Sequence, residues 1–198
     1  MFFTWLFLVA FAYLLGSVPV GILVARVFGG ADPRDAASGN IGATNVARTL
    51  GRLPGILTLA GDALKGFLPA VWAAHVFVSP WAMATVGLAA FLGHLFPVYL
   101  GFKGGKGVAT ALGVFLALAT SSVLLAACVF GAVVWKWRIV SLASLAAAAA
   151  LPLFAGFLGR PVAIVLLAVV VAGLTAWKHR SNIERLLEGT ESRLGEKA

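Results

Sequence analysis

The chain has 198 residues, 61% of them hydrophobic and 11% charged, and its 15 Lys and Arg against 7 Asp and Glu give a net charge of +8; the mean hydropathy is +1.01. A soluble domain averages about 25% charged residues and disorder needs low hydrophobicity, so both classes are excluded. A bilayer span takes roughly 20 apolar residues, which makes this an all-α polytopic membrane protein, one domain over residues 1–198, with about seven transmembrane helices and very small loops.

Residues 1–25 carry no charge. A signal peptide would open with basic residues, whereas here Arg26 follows the apolar run, so Met1–Ala25 reads as a retained first span with its N-terminus outside. No further targeting segment is visible, as expected of a bacterial inner membrane protein. Residues 26–52 hold Arg26, Arg34, Arg48 and Arg52 and are therefore cytoplasmic. Leu53–Val78 is a second span, interrupted by GDALKG at 61–66; Ser79-Pro80 turns outside, Trp81–Leu100 returns, and Gly101–Gly107 is a second cytoplasmic loop. Val108–Trp137 rises about 45 Å as one helix, too long for a hydrocarbon core of about 30 Å and too short for two full crossings. Charge parity decides. Two short spans turning near Thr120-Ser121-Ser122 return Lys136 and Arg138 to the cytoplasm. Ile139–Leu158 then runs out, Gly159-Arg160-Pro161 turns, Val162–Trp177 returns, and the tail 178–198 is cytoplasmic. Thirteen of the 15 basic residues fall inside, all but Lys65 and Arg160. The positive-inside bias accounts for the charge, and no nucleic-acid partner is implied. The single cysteine, Cys128, lies in an apolar run, and no His, Asp or Glu cluster has metal-ligand spacing, so neither a metal nor another cofactor is expected.

Three cytoplasmic motifs suit phosphate. In Ser38-Gly39-Asn40-Ile41-Gly42-Ala43-Thr44-Asn45, glycines permit close backbone approach and successive N–H groups can form an anion nest. The following helix would present its N-terminus to a phosphate, and Arg48 would add bidentate bonds. An ordinary capped loop would use the same residue types. Phe102-Lys103-Gly104-Gly105-Lys106-Gly107 opens into a span, with the physics of a phosphate loop but not its GxxxxGK[ST] consensus; simple basic punctuation between helices is the alternative. In the tail, His179 and Asn182 share a helix face, and histidine is suited to proton transfer near neutral pH, while Ile183, Leu186 and Leu187 also fit an interfacial amphipathic helix. The spacing of an H-x4-D acyltransferase motif ends on Glu184 rather than Asp. Inside the second span, Asp62 and Lys65 are functional candidates by default, or a self-neutralising structural pair. His94 faces helix packing or an inner cavity.

Together SGNIGATNVART, GDALKG, LGHLFPVYLGFKGGKGVAT and HRSNIERLLEGTE resemble, in the same order and over the whole chain, the acyl-phosphate:glycerol-3-phosphate acyltransferases, the PlsY-type enzymes of bacterial phospholipid synthesis. The resemblance implies a seven-helix enzyme that uses neither acyl-CoA nor metal. It implies acyl transfer from an acyl phosphate to the 1-hydroxyl of sn-glycerol 3-phosphate, yielding lysophosphatidic acid and phosphate at the cytoplasmic face. The lipid bilayer and the enzyme that makes acyl phosphate are the implied partners. On this reading His179, Ser38 and Asn182 serve the chemistry, and Arg48, Lys106 and Asn40 bind glycerol 3-phosphate. Gly104, Gly105, Gly107 and Lys103 bind the acyl phosphate, with Asp62 and Lys65 in support. His179 either takes the hydroxyl proton or orients it toward a phosphate oxygen. A transporter of phosphorylated metabolites would share the basic face, but it would need a path to outer loops that carry almost no charge.

Overall fold

A computed structural model describes residues 1–36 and 38–195. Ten α-helices follow in order: α1 (Phe2–Gly16), α2 (Val20–Val27), α3 (Ala43–Leu50), α4 (Arg52–Val76), α5 (Pro80–Leu95), α6 (Val108–Leu118), α7 (Thr120–Trp137), α8 (Val140–Phe157), α9 (Val162–Lys178) and α10 (Arg180–Leu187). There is no strand among the described residues. Helix α4, α5 with its short extension to Leu100, α7 and α8 are long and apolar enough to cross a membrane. Two bent pairs, α1 with α2 and α9 with α10, raise the number to six if each pair is one span.

The expected seven apolar segments are thus all helical, but not all of full length. Helix α6 has 11 residues, about 16 Å of rise, roughly half the hydrocarbon thickness. The turn expected at Thr120–Ser122 comes one residue earlier, at Ala119 (φ −153°, ψ 56°). Thr120 and Ser121 instead open α7, where the Thr120 hydroxyl donates to the Leu116 carbonyl (2.8 Å). The first span, expected to be continuous, bends by 43° between Gly16 and Val20. Pro19 stands at the bend, and proline removes a helical N–H and clashes with the preceding turn.

Small residues set the packing. At Gly66 an added Cβ would lie 2.3 Å from the Thr110 carbonyl oxygen, and at Gly113 one would lie 1.9 Å from that of Ala63. Helices α4 and α6 therefore touch backbone to backbone, a contact that bilayer-embedded helices obtain from small residues. Phe91, Phe115, Leu8 and Leu95 are fully buried at the centre, while Phe3, Trp135, Leu153 and Phe157 project outward, as a lipid-facing surface requires. The loop before α3, the glycine-rich loop before α6, and α10 with the tail meet at one end of the bundle. Arg160 lies at the other, beside Ser121 at the α6–α7 break (3.3 Å).

Candidate active site

The three polar motifs enclose a cavity of about 530 Å³. Of the expected site residues, Ser38, Asn40, Arg48, Asp62, Lys106, Gly107, His179 and Asn182 line it, and Lys65, Lys103, Gly104 and Gly105 do not. Leu59, Phe130 and Val140 contribute an apolar wall.

The first loop is organised by Asn45, which is 2% exposed. Its Oδ1 accepts from both the backbone N–H and the hydroxyl of Ser38 (3.0 Å each), and its Nδ2 donates to the carbonyls of Pro33 (2.7 Å), Ala36 (3.2 Å) and Asn40 (2.8 Å). The Asn40 side chain accepts from the Gly42 N–H (2.9 Å), which brings the chain into α3, whose last turn carries Arg48.

The second loop is held by packing. The Gly105 N–H donates to the His94 carbonyl (3.1 Å). A Cβ on Gly104 would lie 2.1 Å from that carbonyl oxygen, and one on Gly105 would lie 2.2 Å from His94 Nε2. The Gly105 amide is therefore engaged by protein, and the two glycines exist so that the chain can lie on the end of α5. Gly107 adopts the left-handed conformation (φ +83°) against Phe91, where a side chain would be both strained and obstructed. Lys103 is exposed.

Lys106 donates to the Asn182 side-chain carbonyl. Burial lowers its pKa to about 8, with Arg185 and Arg48 adding to the effect and Glu191 opposing it; at neutral pH the ammonium remains mostly charged. Asn182 in turn donates to Glu191 Oε1 (2.6 Å), which also accepts from the Ser141 hydroxyl (2.7 Å), while Arg185 Nε donates to Glu191 Oε2 (2.6 Å). Burial opposes ionisation of Glu191, but these three donors outweigh it and hold the carboxyl below its ordinary pKa. Glu191 is not among the site residues expected from the sequence, although it stands within HRSNIERLLEGTE; Glu184 and Glu188 precede it there, and nothing in the pattern selects Glu191 from the three.

His179 occupies the 62° bend between α9 and α10 and is 3% exposed. Its Nδ1 lies 2.8 Å from the Thr175 carbonyl oxygen. A carbonyl only accepts, so Nδ1 carries the proton and Nε2 presents its lone pair. Burial, chiefly, and the Lys106 charge lower the pKa to about 4 against the opposing Thr175 bond, and the ring is neutral at working pH.

Beneath the cavity Asp62 pairs with Lys65 (2.8 Å) and lies 3.5 Å from His94 Nδ1. Lys65 also donates to the Val18 carbonyl at the α1–α2 bend (2.7 Å). The pair therefore fastens the bend to α4.

The sequence pattern of the family described as glycerol-3-phosphate acyltransferase matches residues 6–189. The chain belongs to this family. A glycerol-3-phosphate acyltransferase of Geobacter sulfurreducens is 54% identical over 95% of this chain and 96% of its own length, and one of Aquifex aeolicus is 49% identical over 95% and 98%. Two crystal structures of PlsY (YgiH), an integral membrane glycerol 3-phosphate acyltransferase, are 48% identical to it and each cover 97% of this chain and 96% of their own. The glycerol 3-phosphate form superposes with a TM-score of 0.92 and the lysophosphatidic acid form with 0.90. Family membership therefore agrees with the resemblance in the motifs and with the integral membrane architecture.

Proposed function

We propose that this chain transfers a fatty acyl group from an acyl phosphate to the 1-hydroxyl of sn-glycerol 3-phosphate at the cytoplasmic face of a bacterial inner membrane. The products are lysophosphatidic acid and inorganic phosphate. The observation that carries the reading is one cavity lined by Arg48, Lys106, Asn182 and His179 together with an apolar wall, which suits two phosphates and an acyl chain at once. The substrate and product named for the two solved relatives are those of the same transfer. Transport of phosphorylated metabolites is not favoured by the family.

Arg48 and Lys106 hold the glycerol phosphate, with Asn182 steadying Lys106 and Asn40 beside them. The acyl phosphate lies near Ser38 and Gly107, with the N-terminus of α6 directed at its phosphate. The hydroxyl oxygen attacks the acyl carbonyl carbon, the carbon–oxygen bond to phosphate breaks, and phosphate leaves with that electron pair. Burial disfavours a charged His179 ring and its Nδ1 proton is committed to the Thr175 carbonyl, so taking a second proton would place a cation in the buried site, whereas a substrate phosphate is already anionic. His179 Nε2 therefore aims the hydroxyl, and a substrate phosphate oxygen takes its proton. Positioning and charge stabilisation supply the rate, since an acyl phosphate is already activated. The basic excess of the loops supports the cytoplasmic orientation, N-terminus outside and C-terminus inside.

Purified protein given labelled glycerol 3-phosphate and palmitoyl phosphate, with palmitoyl-CoA in parallel, tests this. Lysophosphatidic acid from the phosphate donor alone is expected. Product only from the CoA donor overturns the donor assignment, and no product from either, in folded protein, overturns the reading.

A further inference from the structure

The last carbonyls of a helix have no partner within it. At the end of α5, three consecutive ones find partners in three different parts of the chain. The His94 carbonyl accepts from the Gly105 N–H (3.1 Å), the Leu95 carbonyl from Lys178 Nζ (2.7 Å), and the Phe96 carbonyl from the Tyr13 hydroxyl (2.7 Å). Pro97 follows and precludes further helix. Gly105 immediately precedes Lys106, and Lys178 immediately precedes His179. The two side chains that the proposed reaction depends on most thus each sit one residue from a bond to the same helix end.

Both attachments are tight. The His94 ring, 3% exposed, fills the space under Gly105 so closely that no side chain fits there. It rests on the buried Asp62–Lys65 pair of α4, so the ring cannot drop away from the loop. Lys178 is fixed by the Leu95 bond and by the Phe96 and Trp177 rings, at 4.6 and 5.5 Å from its ammonium.

We propose that the C-terminal end of α5 is the positioning element of the site: His94 sets Lys106 through Gly105, and Lys178, bound to the Leu95 carbonyl, sets His179. Lys178 does not line the cavity; His94 does, packed under Gly105 and beside Asp62, and acts on the site through the loop. Because Lys106 binds a phosphate and His179 aims the hydroxyl, the two arms act on different kinetic constants. This rests on the roles given to Lys106 and His179 above.

Acyl-transfer kinetics on folded, detergent-purified variants test it. A displacement of about 1 Å at a reacting group changes rates by as much as a hundredfold. His94→Leu, which keeps the core filled but loses the ring, is expected to raise the KM for glycerol 3-phosphate about tenfold or more with kcat little changed. Lys178→Met is expected to lower kcat by a similar factor with that KM little changed. The conservative His94→Gln and Lys178→Arg should recover most of each loss. If His94→Leu does not fold, Gly105→Ala disturbs the same contact from the loop side and should give the same KM effect. Lys106→Ala and His179→Ala run alongside. If these leave KM and kcat respectively unmoved, the assigned roles fail. If they act as expected while the His94 and Lys178 variants match the parent, or affect both constants equally, the positioning proposal is overturned.

Discussion

The two glycine-rich loops of the site have similar sequences and different physical supports. Residues 38–42 are held by a side chain: Asn45 makes five hydrogen bonds into the loop and its approach, and the glycines there turn the backbone around that amide. Residues 103–107 are held by packing: Gly104 and Gly105 lie on the end of α5 where any Cβ would collide, and only Gly107 of the three lines the cavity. A glycine-rich stretch beside a basic residue therefore says that the backbone comes close to something. In one loop that something is a buried amide, and in the other it is a helix end.

Both loops serve a cavity in which His179 is the only histidine besides His94, so its removal is the largest expected effect. His179→Ala should lower kcat by roughly 10²-fold, the scale of a misplaced reacting group, in protein that keeps its thermal midpoint. Near-normal turnover would remove His179 from the reaction. Next comes the support of the first loop. Asn45→Ala strands a set of loop N–H and C=O groups and should destabilise by about 3 kcal/mol, read as a lowered thermal midpoint in detergent, with a raised KM for glycerol 3-phosphate. An unchanged midpoint would show that the loop holds itself and would end the contrast with the packed loop.

The parts of this arrangement legible in the sequence were those made by neighbours in the chain. Apolar runs predict the helices, and charge parity, which keeps Lys136 and Arg138 on the side expected to be cytoplasmic, predicts the break between α6 and α7 that is present at Ala119. The short α6 was not legible, since its length depends on where Ala119 breaks the run and composition is apolar on both sides. The motif residues lining the cavity stood out because hydroxyl, amide and basic side chains are conspicuous among Ala, Leu and Val. Their supports did not stand out. Glu191 bonds Ser141, 50 residues away, and Lys178 bonds Leu95, 83 residues away. A carbonyl awaiting a donor has no signature of its own, and a lysine after a span reads as positive-inside charge. Gly104 and Gly105 read in the sequence as a phosphate cradle for the same reason: the helix end at His94 on which they pack belongs to another part of the chain.

The third effect concerns the charge that the packed loop delivers. Lys106 has a pKa of about 8, below the ordinary lysine range, so it is protonated below that pH and neutral above it. Since kcat/KM reports the free enzyme, kcat/KM for glycerol 3-phosphate should hold near neutrality and fall as pH rises through about 8. Lys106→Arg keeps its charge throughout this range and should move the fall to higher pH, whatever it does to the absolute rate. A profile flat to pH 10 in the parent enzyme would mean that the Lys106 charge does not bind the substrate.

The smallest effect sharpens the contrast within the second loop itself. Lys103 and Lys106 are three residues apart in one glycine-rich segment, and sequence alone offers both to phosphate. Lys106 is partly buried, bonded to Asn182 and part of the cavity lining; Lys103 is exposed and outside it. A solvated ammonium outside the site acts only through a screened field, with a Debye length of about 8 Å at physiological salt. Lys103→Ala should therefore change kcat and both KM values by less than about twofold at 0.15 M salt, with a somewhat larger rise in KM at low ionic strength, where screening weakens. A large rise in the KM for acyl phosphate that persists at high salt would mean that Lys103 folds down onto the donor, and that the loop binds phosphate with both lysines after all.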